Sequence, residues 1–93
     1  MPVELRLSKR FLRSLKSLSD ADHARVEEAL RQLQKVWGAP QQHTGLSIRQ
    51  LRAGYFECRA GLDIRIVYRP TIDGLDIVMA GNHDDVRRLL RNE

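Results

Sequence analysis

The chain carries one cysteine, Cys58, so no internal disulfide can staple it, which agrees with a reducing compartment. No apolar run approaches the roughly 18 residues that a bilayer crossing needs. The opening MPVELRLSKRFL lacks the apolar stretch of a secretion signal and goes straight into alternating polar and apolar positions. A cytoplasmic protein is expected, with no membrane partner. There is no CxxC, no HExxH, no GxGxxG and no phosphate loop ending in GKS or GKT, so metalloprotease, dinucleotide and nucleotide-hydrolase chemistry have no support. No metal or cofactor is expected. The serines form no nucleophile-elbow pattern, and no repeat, linker or low-complexity segment is visible.

What remains is a single domain of 93 residues with room for one modest core. Apolar residues at 42% and charged residues at 30% fit a globular chain rather than a disordered tail. The net charge is +4, and thirteen of the 16 basic residues are arginine, whose planar fork suits phosphate oxygens. The surplus lies in residues 1–54, at +5, against −1 for residues 55–93. An anionic partner follows as an expectation, although charge speaks to association and not to fold.

Val3 to Leu7 alternate with the period of a half-buried strand. Ser8 reads as an N-cap, and Phe11, Leu12, Leu15 and Leu18 recur at helical spacing over Lys9 to Leu18. Ser19-Asp20-Ala21-Asp22 offers fresh caps. Val26, Leu30, Leu33 and Trp37 then form the stripe of a second helix from Ala21 to Trp37, stopped by Gly38 and Pro40. These two helices form an antiparallel hairpin that needs a sheet to cover it. Ile48 to Leu51, Tyr55 to Ala60, Asp63 to Arg69 and Leu75 to Ala80 are strand-sized and divided by Gly54, Gly61 and Asp73-Gly74. They make three or four antiparallel strands, depending on whether Gly54 breaks or bends the first. Val86, Leu89 and Leu90 place a short helix at the end. The expected class is α+β, a small curved antiparallel sheet in β-α-α-β-β-β-α order, backed by the N-terminal hairpin, with a charged face left open.

Cys58 falls inside an apolar strand alternation and reads as a packed thiol. His23 sits among charged residues of the second helix and reads as a surface residue. His43, in a loop before the sheet, and His83, directly after the last strand, are different. Together with Asp63 and Arg65 they supply what RNA cleavage needs: a base for the 2′-hydroxyl proton and an acid for the leaving 5′-oxygen. Arg65 and Arg59 can neutralise charge that builds on the phosphorane. Asp63 is equally readable as a turn cap or an ion-pair partner.

The succession His43-Thr44-Gly45-Leu46, Leu51, Gly54-Tyr55-Phe56-Glu57-Cys58-Arg59, Asp63-Ile64-Arg65-Ile66-Val67-Tyr68 and Gly81-Asn82-His83-Asp84-Asp85-Val86 resembles the RelE/ParE superfamily of bacterial toxins, in pattern closest to its YafQ-like branch. The resemblance implies a toxin of a type II toxin–antitoxin pair that cuts messenger RNA on the ribosome without a metal ion. It matches His83 to the family's C-terminal acid/base histidine, His43 to a loop histidine, Asp63 to a strand aspartate and Arg65 to the arginine that works on the scissile phosphate. Arg59 stands where YafQ-like toxins place another histidine, and Arg87 where many relatives carry an aromatic residue. The arginine-bearing face, with Arg49, Arg52, Arg59 and Arg87, would hold the RNA backbone. An acidic antitoxin is the implied partner. The alternative on the same fold is a ParE-like toxin that binds DNA gyrase and needs no acid/base residue. A nucleic-acid-binding module with neither activity is a third reading.

Overall fold

The computed structural model describes residues 3–37 and 45–92. The elements are β1 (Glu4–Leu7), α1 (Lys9–Lys16), α2 (Asp20–Val36), β2 (Arg49–Gln50), β3 (Phe56–Arg59), β4 (Arg65–Pro70), β5 (Gly74–Gly81) and α3 (His83–Arg91). Serines set the helical hairpin as the sequence suggests: the Ser8 hydroxyl accepts from the Phe11 amide and the Ser19 hydroxyl from the Asp22 amide, satisfying first-turn donors that would otherwise be orphaned. α1 stops at Lys16 rather than Leu18, because Ser19 must be extended to cap α2.

The sheet has 5 strands in the order β1-β5-β4-β3-β2. One feature differs from the expected antiparallel sheet. β1 lies parallel to β5, with Glu4 opposite Gly74 and Leu7 opposite Ile77. Because the hairpin carries the chain across the sheet before the remaining strands, β1 joins at an edge in the direction of β5. Gly54 breaks rather than bends the first of the later strands, separating β2 from β3, so of the two expected counts the sheet takes four strands after the hairpin. Ala53 and Gly54 both adopt positive φ, of 60° and 80°, a left-handed turn that ends one strand and starts the next.

The core fills both faces of the sheet. On one face Ile66, Tyr68, Leu75 and Ile77 are fully buried against Phe11, Val26 and Leu33 of the hairpin. Trp37 closes that layer edge-on to Phe56 and Tyr68, at 5.1 and 5.4 Å between ring centres. The other face is not left open as expected: α3 covers part of it, burying Val67 and Met79 beneath Val86 and Leu89. A register shift between Val67 and Tyr68 in the β4–β5 ladder bends the sheet there. No helix among the described residues is long and apolar enough to cross a membrane.

Two contacts pin β1 and give predictions. A Cβ on Gly74 would lie 2.5 Å from the Glu4 carbonyl oxygen, a backbone atom that cannot move alone. Gly74→Ala should cost about 1–3 kcal/mol, read as a lower urea midpoint at unchanged slope. Beside it, Arg6 reaches from β1 to Asp76 at 2.6 Å, to Asp73 at 3.1 Å and to the Thr71 hydroxyl. The Thr71 hydroxyl and then Arg6 hold the Asp73 carboxyl below the usual carboxylate range. The folded chain therefore binds this proton less readily than the unfolded one. The resulting stability is present above an ordinary carboxylate pKa of about 4 and fades as pH falls through the lowered value. In melting temperatures measured against pH, Asp73→Asn should flatten the acid limb slightly, because the pair is exposed and screened.

Candidate functional site

Strand pairing and one helix start build the site. Arg65, the first residue of β4, lies opposite Arg59 on β3 and opposite Gly81 on β5. The chain leaves β5 at Gly81 and enters α3 within two residues. Asn82 caps that helix by a reciprocal pair of bonds with Asp85, so His83 becomes its first residue. Gly81 has no room for a side chain: an added Cβ would come within 2.8 Å of Asp85 and Met79. The sharp passage from strand to helix sets His83 beside Arg65. Asp63, in the β3–β4 turn, completes the group, and Asp63, Arg65, Asn82, His83 and Asp84 line one solvent-open hollow of about 380 Å³.

The other arginines have separate places. Arg59 lines a depression against α2 with Arg25 and Gln32, although its register keeps it next to Arg65. Arg52 donates to the Leu90 carbonyl in the last turn of α3, fastening that helix to the loop before β3. Arg87 borders a depression with Asp84, Arg88 and Arg91, adjoining the hollow through Asp84. Arg49 pairs across the sheet with Glu57 at 3.0 Å. His43 lies outside the described residues. His23 is paired with Glu27 at 2.9 Å on the surface of α2, as a solvated residue would be.

Glu57 is the residue that the sequence reading missed. It is the one charged residue with a buried side chain among the described residues, at 6% exposure. Antiparallel register puts it on the face shared by Arg49, Arg59 and Arg65. The available signal was the alternation Phe56-Glu57-Cys58-Arg59, which turns Glu57 toward the arginine face when Cys58 turns to the core. Burial, and next the charge of Glu57, push the Cys58 thiol up to about 12, leaving it unreactive at neutral pH. All five aromatic residues are buried or half-buried. Among the described residues no group of three or more His, Cys, Asp or Glu could hold a metal ion.

No family model and no curated protein matches the sequence. Solved structures match over nearly the whole chain. Similarity to the toxin–antitoxin complex RelBE2 from Mycobacterium tuberculosis has a TM-score of 0.70 at 21% identity, covering 89% of this chain and 100% of that one. The E. coli DinJ–YafQ toxin–antitoxin complex gives 0.70 at 16% identity, with 92% and 98% covered. The YoeB dimer from Staphylococcus aureus gives 0.68 at 18%, with 89% and 99% covered. The chain thus has the fold of the RelE-, YoeB- and YafQ-type toxins, as the ordered motifs suggested.

Proposed function

We propose that this protein is the toxin of a type II toxin–antitoxin pair and acts as an endoribonuclease on ribosome-bound messenger RNA. The observation that carries the reading is the shared hollow: an imidazole, a carboxylate and a guanidinium converge beside an arginine-rich face. His83 is the general acid for the leaving 5′-oxygen. The base that takes the 2′-hydroxyl proton is Asp63 or His43. Arg65, aided by Arg59, balances charge as the phosphorane forms, and Arg49, Arg52 and Arg87 contribute to holding the backbone. Attack by the 2′-oxygen breaks the bond to the 5′-oxygen and leaves a 2′,3′-cyclic phosphate, with side chains filling every proton-transfer role.

The convergence of titratable groups favours cleavage over gyrase binding, which needs none of them. Incubating the purified protein with programmed ribosomes tests this. New messenger ends carrying a cyclic phosphate are expected, with no inhibition of gyrase supercoiling. Intact messenger together with gyrase inhibition that survives alanine at His43 and His83 would move the reading to the binding toxin. An acidic antitoxin is the expected partner, steered by the basic surface. Its co-expression should restore growth to cells that make the toxin.

A further inference from the structure

Glu57 has a cost that its contacts do not repay. Burying a carboxylate loses several kcal/mol of hydration unless hydrogen bonds replace it. One oxygen, Oε2, lies 3.0 Å from Arg49 Nη2 and 3.7 Å from Arg65 Nε. The second, Oε1, has no hydrogen-bond partner, and neither has the buried Arg65 Nε. The gap to Arg65 is close enough for strong attraction in a site from which water is largely excluded, and too long for a hydrogen bond. An apolar residue would pack here at lower cost, so stability does not explain the carboxylate.

Its placement does. Arg65 and Arg59 are like charges directly opposite on neighbouring strands, an arrangement that pushes guanidinium groups apart. Glu57 sits one pair further along the same face, opposite Arg49, and draws Arg65 back on its Nε side. Arg65 lines the hollow with Asp63 and His83. Because the attraction acts without a hydrogen bond to Arg65, it orients the guanidinium without using its donors.

We propose that Glu57 is a positioning residue: an electrostatic tether that aims Arg65 at the phosphate site by drawing on its buried Nε side, without taking up the terminal Nη donors. This rests on the nuclease reading for its consequence in rate, and on geometry alone for the tether. The tether also carries negative charge beneath an anion-binding face. It therefore weakens ground-state RNA binding while it improves alignment at the reacting phosphate, and the two effects separate in Glu57→Gln, which keeps the shape and removes the charge.

The decisive experiment pairs two measurements on Glu57→Gln. In single-turnover cleavage of ribosome-bound messenger, the rate at saturation should fall by about 100-fold, the loss that a misplaced catalytic group produces. The half-saturating concentration should stay level or fall. Arg65→Ala with Glu57→Gln should be no slower than Arg65→Ala alone, because Glu57 acts through Arg65. Equal slowing added on top of Arg65→Ala, or weaker binding with an unchanged saturated rate, would overturn the proposal. Independently of any cleavage, nitrogen relaxation at the arginine Nε–H groups of the free protein should show Arg65 ordered in the native chain and mobile in Glu57→Gln. Equal order in both overturns the tether. If the native protein cuts no messenger yet Arg65 loses order in the variant, the nuclease reading fails and the tether stands.

Discussion

His83→Ala is expected to slow cleavage of ribosome-bound messenger by about 10²- to 10⁴-fold, the usual contribution of a positioned general acid. The variant should fold normally. His83 is exposed at the first position of α3, while the helix start is held by Asn82 and Asp85, which the substitution leaves intact. The stability change should therefore stay within about 0.5 kcal/mol, as for other surface substitutions away from caps and cores. Affinity for the substrate should hardly alter, since the arginines proposed to grip the backbone remain. An unchanged rate would remove His83 from its role.

The largest stability effect is expected at Phe11. α1 has one fully buried side chain, Phe11, which packs into the layer between hairpin and sheet. Its neighbours at helical spacing contribute less: Leu12 is exposed and Leu15 half-buried. Phe11→Ala should cost about 3–5 kcal/mol, from lost transfer energy and the cavity left behind. Domains of this size hold roughly 5–15 kcal/mol in total, so one substitution consumes a large share of the margin. A denaturant titration should show the midpoint fall at unchanged slope. α1 should lose amide protection before α2, which has four buried residues of its own to hold it.

Local signals in the sequence reached the structure where the cause was local. The serine caps at Ser8 and Ser19 and the stripe of Val26, Leu30 and Leu33 depend only on residues within a few positions, and they stand as read. Ile64, Ile66 and Tyr68, spaced two apart, likewise all turn to the core. The parallel placement of β1 was not legible, because strand direction is decided by partners about 70 positions away. The covering of Val67 and Met79 by α3 escaped for the same reason: a short amphipathic tail does not state which face receives it. In the candidate site, His83, Asp63 and Arg65 were identified individually and do share one hollow. Arg52, expected on the RNA-binding face, also bonds the end of α3, and Glu57, to which the sequence assigns no role, is buried between arginines. Both differences arise from contacts across strands or to a helix end, which hydropathy along the chain does not encode.

The sheet order has a consequence for how the protein is made. β5 is the last strand in sequence and sits between β1 and β4, so every route from the N-terminal edge to the rest of the sheet passes through it. A nascent chain paused before Gly74 has a hairpin and a partial meander but no strand to pair β1 with β4. Closure awaits a contact between the first and last quarters of the polypeptide, the kind of long-range pairing that slows folding. Synthesis and maturation are thereby ordered in time: the hollow at His83 can form only after β5 and the start of α3 have left the ribosomal tunnel.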